Sequence, residues 1–234
     1  MVAALFIAAL SLLLNGGMTI LGHANDEASY AALAKQMDKV ATKNLDRAET
    51  GPASALPEGA VAWLDVAGTS ISYPVAQASE GEPSFYLSHD LWGKESDTGC
   101  PYLDWRCGPN STRALVYAHR MGTTGRQFSP IADAWKQEEF DGIGRLAWTT
   151  GEGTSSLQPL CALKVDMGYQ RIQDFSAQGT SELHSWLRGL VSDSTAQGEH
   201  SDRLIDGAKR AITLVTCSSL QGGQRDRTLL VFVG

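Results

Sequence analysis

Three residues far apart in the chain have the types that acyl chemistry needs: Cys217, His119 and Arg227. The apolar run Thr213-Leu214-Val215-Thr216 leads straight into Cys217, and Ser218-Ser219-Leu220-Gln221-Gly222-Gly223 follows as a loop. A cysteine at the mouth of a strand is held rigidly yet meets solvent, as a nucleophile requires. A thiol attacks as its thiolate, and a histidine can stabilise that thiolate and carry protons near neutral pH. His119 stands at the end of a second apolar run, Val116-Tyr117-Ala118-His119. Arg227 opens the last apolar run, so an antiparallel return brings it back beside Cys217. There its guanidinium would face the oxyanion that develops when a carbonyl is attacked. Each residue also has an ordinary reading: a buried structural thiol, a satisfied strand histidine, an exposed charge at a strand start. Arg225 competes with Arg227, because period-two alternation puts both on one face.

The elements that must position these residues read mainly as β-structure. Val61–Val66, Ile71–Val75, Ala114–His119, Arg145–Thr149, Leu160–Val165, Ala211–Thr216 and Thr228–Val233 have strand character, with shorter strands expected at Phe85–Leu87 and Tyr102–Trp105. Pro74 inside its strand argues for an edge or a bulge. Helical spacing runs over Phe128–Phe140 and Ser181–Val191, the latter with Leu183, Trp186, Leu187, Leu190 and Val191 on one side. Roughly eight short strands with helical inserts imply a closed barrel rather than alternating βαβ units.

Before the barrel the chain changes character. Residues 1–24 are strongly apolar and, with His23 neutral, hold no charge. That is about the length that spans a bilayer as a helix. A cleaved signal peptide is the rival, with Gly22-His23-Ala24 as a small-residue site. No Lys or Arg precedes the run, so the positive-inside signal is missing. Asn25 and Asp26 then suggest a helix cap, and Glu27 to Arg47 a polar, alanine-rich helix that packs on the domain or stands as a stalk. A Gly, Pro, Ala and Ser-rich linker ends this part. The expected organisation is an anchor or signal segment at 1–24, a helical stalk and linker at 25–56, and a catalytic barrel at 57–234.

The 234 residues and net charge of −7 fit one medium domain plus a tail, and exclude the basic footprint of a nucleic-acid binder. Cys100, Cys107, Cys161 and Cys217 form no C-x-x-C pair and have no histidine at zinc-finger spacing, so no metal site is expected. A Cys100–Cys107 disulfide stays open from sequence. Cys161 reads as core, and His89, His184 and His200 as structural or surface residues. Asp104 reads as a structural hydrogen-bonder or an orienter of a catalytic group. Trp63, Trp135, Trp148 and Trp186 read as core or groove wall.

Thr213-Leu214-Val215-Thr216-Cys217 with a downstream Arg resembles the TLxTC signature of sortases. Tyr117-Ala118-His119-Arg120-Met121 is similar to that family's Y-G-H-N-M stretch, with Ala118 for Gly and Arg120 for Asn. Val61-Ala62-Trp63-Leu64 and Ile71-Ser72-Tyr73-Pro74-Val75-Ala76-Gln77 resemble the family's opening strands. Tyr86-Leu87-Ser88-His89-Asp90, Gly99 to Arg106, and the ten-residue step from Cys217 to Arg227 resemble class B sortases. The likeness covers about Pro57 to Gly234. It implies an eight-stranded sortase-type β-barrel without metal or organic cofactor. It also implies Cys217 as nucleophile, His119 as general acid/base and Arg227 as oxyanion or substrate anchor. The implied partners are a sorting-motif peptide cleaved after Thr and a peptidoglycan amine acceptor. The expected location is the cell membrane, with one N-terminal anchor and an extracytoplasmic catalytic domain. The alternatives are a pilin-polymerising sortase, a hydrolytic cysteine peptidase, and an inactive sortase-like peptide-binding module. Thr50–Gly59 lacks the Asp-Pro-aromatic lid typical of pilin enzymes, and a mere binding module has no use for all three of His119, Cys217 and Arg227.

Overall fold

Apolar alternation along the chain becomes a sheet that closes on itself. The computed structural model describes residues 26–37, 56–122, 125–175, 179–221 and 224–234. Among them the strands are β1 (Ala62–Val66), β2 (Ser72–Gln77), β3 (Tyr102–Leu103), β4 (Arg113–Tyr117), β5 (Leu146–Thr150), β6 (Gly153–Asp166), β7 (Ala196–Gln197), β8 (Ala211–Cys217) and β9 (Asp226–Val233). Their order is β5-β1-β2-β3-β4-β8-β9-β6, and β6 returns to pair with β5. The result is the expected eight-stranded barrel, with β7 appended to β6. Most neighbours are antiparallel; β2–β3 and β4–β8 are parallel. Pro74 pairs with Trp63 on β1, and β3 joins β2 only from Ala76, so at Pro74 the strand behaves as an edge.

The central strands are apolar throughout because both of their faces are buried. On β8, Ile212 and Leu214 face the barrel interior with Leu230 and Phe232 of β9. The alternate residues Ala211, Val215, Leu229, Val231 and Val233 form a second core outside the barrel wall. That outer core is covered by α4 (Thr180–Asp193) and α5 (Ser201–Gly207). Leu183, Trp186, Leu187 and Leu190 bury one stripe of α4, at the spacing seen in the sequence. Two short helices complete the inserts, α2 (Gln137–Phe140) and α3 (Gln170–Gln173).

The described part of the N-terminal segment, residues 26–37, is a helix (α1) that lies on the barrel. Tyr30 is buried there, donating its hydroxyl to the Gly99 carbonyl at 3.2 Å and accepting the Leu91 N–H at 3.2 Å. The Asp26 carboxylate is given to the barrel: it accepts from Ser96 Oγ at 2.6 Å and Thr98 Oγ1 at 3.1 Å. The apolar segment 1–24, Asn25, residues 38–47 of the expected helix and most of the linker lie outside the described residues. Among the described residues no helix is long and apolar enough to cross a membrane.

Three local expectations need correction. Phe85–Leu87 is a turn of 3-10 helix, not a strand, because the Phe85, Leu87 and Ser88 N–H groups bond three residues back. The strand at Tyr102 stops at Leu103, since Asp104 turns the chain by accepting the Arg106 N–H on its side chain and the Cys107 N–H on its carbonyl. The helical spacing over Phe128–Phe140 divides into a 3-10 turn at Ser129–Ile131, carrying Pro130, and α2.

Candidate active site

Register brings the three candidate residues together. In the antiparallel pair β8–β9, Cys217 lies directly opposite Arg227. In the parallel pair β4–β8, Tyr117 aligns with Val215, so two further places along both chains set His119 level with Cys217. Aligned partners project to the same side of a sheet. Here that side is the outer face, which Leu115, Val215 and Leu229 mark by packing into the outer core. His119, Cys217 and Arg227 thus stand in a row across three adjacent strands. There the α4 cover has ended, and a cavity of about 430 Å³ opens, lined by all three. Leu87, Tyr102, Tyr117, Tyr169, Ile172 and Gln173 are among its other walls.

The individual geometries follow from local hydrogen bonds. His119 Nε2 lies 2.7 Å from the Leu87 carbonyl oxygen. A carbonyl only accepts, so Nε2 carries the hydrogen of the neutral ring, and Nδ1 is left as the nitrogen that takes up or releases a proton. Arg227 Nη1 donates to the carbonyls of Gln224 at 3.0 Å and Asp226 at 3.1 Å, which fixes the guanidinium at the cavity wall. The competitor Arg225 is turned aside: both oxygens of Asp166 hold it at 2.8 Å, in an exposed pair outside β9. The Ser218 N–H, the first main-chain donor after Cys217, is already given to the Asp226 carbonyl at 3.1 Å.

Asp104 does not reach His119. It accepts a forked pair of bonds from Arg106 and one from the Tyr117 hydroxyl at 3.1 Å, so it holds the cavity wall instead. Burial pushes its carboxyl up, but the hydrogen bonds from Arg106 outweigh that and leave it below the ordinary value of 3.8. Arg106 continues to Gln173 Oε1 at 2.8 Å and covers the Phe175 ring at 4.4 Å, which ties α3 to the barrel as the opposite wall.

Cys100, Cys107 and Cys161 are buried free thiols, and Cys217 is the half-exposed one. Cys100 and Cys107 are not bonded to each other: their Sγ atoms lie 3.4 Å from the carbonyls of Pro101 and Asp104 respectively. His89 stacks on Phe85 at 3.8 Å, His184 donates to Ala208, and His200 is exposed. Trp63, Trp148 and Trp186 are buried, and Trp135 lies under Lys136 and Lys164. Among the described residues no cluster of His, Cys, Asp and Glu could hold a metal ion. Sequence reading missed Leu87, Tyr169 and Ile172 as walls, and the role of Arg120. Its Nη1 donates to the Ser218 carbonyl, and its Nη2 pairs with Asp133 at 3.1 Å. Only its departure from the Y-G-H-N-M pattern marked it.

No protein-family model matches the chain. It is 22% identical over 211 residues to sortase B of Staphylococcus aureus, covering 88% of this chain and 83% of that protein. It is 20% identical over 195 residues to sortase B of Listeria monocytogenes, covering 81% and 76%. In structure it matches a Staphylococcus aureus sortase B–substrate complex with TM-score 0.73 at 19% identity, covering 91% of this chain and 97% of that one. A sortase B complexed with triglycine matches with TM-score 0.71 at 19% identity, covering 90% and 97%. The chain has the sortase fold and is similar to class B sortases along most of its length. The reading of a sortase-type enzyme stands with these relatives.

Proposed function

We propose that the chain is a sortase-type cysteine transpeptidase in which Cys217, His119 and Arg227 carry the reaction. The supporting observation is their row across β4, β8 and β9 at one cavity mouth. In this reading His119 Nδ1 takes the proton of the Cys217 thiol, and the resulting thiolate attacks the carbonyl of a Thr in a C-terminal sorting motif. The carbonyl electrons move onto oxygen, where the Arg227 guanidinium faces them. Such a fixed donor is worth about 10²–10³-fold in rate. The Ser218 N–H, given to β9, does not compete for that role. As the tetrahedral adduct collapses, the C–N bond breaks and His119 Nδ1 delivers a proton to the leaving amine. A thioacyl enzyme remains on Cys217. An incoming amine attacks it, gives its proton to His119 and releases the thiolate. One hard amide exchange becomes two easier acyl transfers.

Related structures support the two substrate classes: one holds a sortase B with substrate and one a sortase B with triglycine. A sorting-motif peptide and a peptidoglycan amine are the corresponding partners here. Residues 1–24 serve as a membrane anchor in this reading and hold the barrel outside the cytoplasm, which alkaline extraction of membranes from expressing cells tests directly.

The enzymatic test incubates the protein with fluorogenic sorting-motif peptides, with and without a glycine or diaminopimelate-type amine, and follows intact mass. An acyl adduct that the amine discharges, absent in Cys217→Ala, is the expected result. Discharge by water at the same rate with or without amine indicates a hydrolytic peptidase. No adduct with any peptide, from folded protein with a free Cys217, overturns the proposal.

A further inference from the structure

Ser218, the residue after the candidate nucleophile, is held at three points. Its N–H is given to the Asp226 carbonyl at 3.1 Å. Its hydroxyl lies 2.9 Å from Thr228 Oγ1, which itself donates to the Ala132 carbonyl at 2.5 Å. Its carbonyl accepts from Arg120 Nη1. Arg120 Nη2 then pairs with Asp133, the neighbour of Ala132, at 3.1 Å. The bonds form a ring: Arg120, Ser218, Thr228, the Ala132–Asp133 segment, and back to Arg120. The guanidinium is nearly enclosed, with 12% of its side chain exposed.

Arg120 is itself well anchored. It bridges antiparallel to Gln127, the His119 carbonyl accepts the Phe128 N–H at 3.0 Å, and Ser129 Oγ accepts the Met121 N–H at 2.6 Å. The residue beside the candidate base is therefore fixed on one side and grips the residue beside the candidate nucleophile on the other. Arg120 also lines a recess of about 320 Å³ together with Cys217 and Arg227.

A peptide group is planar and trans, so fixing the Ser218 carbonyl also fixes the direction of the Ser219 N–H and the exit of the chain from Cys217. A misplacement of about 1 Å at a reacting atom can cost on the order of 10²-fold. We infer that Arg120 is a positioning residue for Cys217, acting through the Ser218 carbonyl and held in place by Asp133. The inference rests on the reading of Cys217 as nucleophile. It goes beyond that reading by giving a task to the one residue of the histidine segment that departs most from the sortase pattern.

Three variants test it. Arg120→Met keeps the length and removes every donor. Arg120→Lys keeps the charge and a donor, but cannot bind Ser218 and Asp133 as a fork. Asp133→Asn removes the carboxylate at a site 38% exposed, where folding is little at risk. The readouts are single-turnover acylation by a sorting-motif peptide, the pH profile of Cys217 alkylation by iodoacetamide, and the unfolding midpoint. Arg120→Met is expected to slow acylation about 10–100-fold with peptide KM within about twofold, the signature of lost positioning rather than lost binding. Its Cys217 alkylation profile departs from the parent's, because the contact that fixes the exit of the chain from Cys217 is gone. Arg120→Lys regains part of the rate, and Asp133→Asn loses a few-fold in the same direction.

Acylation by Arg120→Met within twofold of the parent overturns the inference. So do equal losses in the Met and Lys variants that track an equal fall in the unfolding midpoint, which would make Arg120 merely structural. If Arg120→Met does not fold, Asp133→Asn decides, and an unchanged rate in it overturns the inference. If the parent protein acylates with no peptide, the transpeptidase reading fails on its own. The alkylation profile then decides Arg120 separately, and an unmoved profile overturns it.

Discussion

Three of the four thiols lie among buried side chains, and burial pushes them up: Cys107 to about 11, Cys100 and Cys161 to about 12. At neutral pH such groups are almost wholly protonated and shielded from solvent, and a thiol in that state is a poor nucleophile. Cys217 alone of the four is partly exposed, in a cavity lined also by His119 and Arg227. Brief treatment with iodoacetamide near neutral pH is therefore expected to label Cys217 and leave the other three to react only in denaturant. Peptide mapping checks this, and labelling of Cys100 or Cys161 at a comparable rate in the native protein would contradict it. That Cys217, His119 and Arg227 come together at one cavity was legible in the sequence, because residue type, strand-end position and the spacing of a β-return are local features. The partners that aim them were not. Leu87 takes His119 through a backbone carbonyl, which any residue type would offer. Arg120 reaches across 98 positions of sequence to Ser218.

At the scale of elements, β4, β8 and β9 were legible because each is buried on both faces, so its apolar run is hard to mistake. The short pieces were not. Phe85–Leu87 is too brief for alternation to be told from a turn, and α3 has only four residues, below what a helix sustains alone. What holds α3 is tertiary: Ile172 in the outer core, Trp186 Nε1 donating to the Arg171 carbonyl at 2.8 Å, and the Asp104–Arg106–Gln173 chain. Asp104 is the charged centre of that chain, and its folded-state carboxyl lies below the ordinary 3.8. A lowered carboxyl contributes stability that is present above the unfolded value and is lost as pH falls through the folded one. Asp104→Asn is accordingly expected to cost about 1.5–3 kcal/mol near neutral pH, the range for bonds to a charged group. The gap from the parent should close as the pH falls below about 4. Denaturant midpoints measured across pH check it; a gap that stays constant to low pH would assign the loss to shape rather than to charge.

For the molecule as a whole, the N-terminal helix is seated on the barrel and is not only a spacer. Residues 26–37 meet the barrel on the 85–100 segment, where Tyr30 binds Gly99 and Leu91, and Asp26 binds Ser96 and Thr98. Gly99 is held at φ +64, and a Cβ there would run into the Tyr86 carbonyl, so this segment admits little variation. The same segment supplies the Leu87 carbonyl that orients His119. The described part of the helix was legible from its alanine-rich pattern, but its seat was not, because Tyr30 and Gly99 are 69 residues apart and nothing local pairs them. Burial also pushes the Tyr30 phenol far above its ordinary value, so its hydroxyl stays protonated and keeps donating to Gly99. Tyr30→Phe removes that donor and leaves the ring. It is expected to lower stability by about 1–3 kcal/mol, the cost of an unpaired buried group. Tyr30→Ala also empties the site and should cost about 3–5 kcal/mol. Because Leu87 keeps its own backbone bond to Ser84, Tyr30→Phe should still acylate at close to the parent rate. Urea unfolding and single-turnover acylation on the same samples separate the two effects. A Tyr30→Ala protein as stable as the parent would show that the helix only rests on the barrel, whereas a stable Tyr30→Phe protein that no longer acylates would place the helix in direct control of His119.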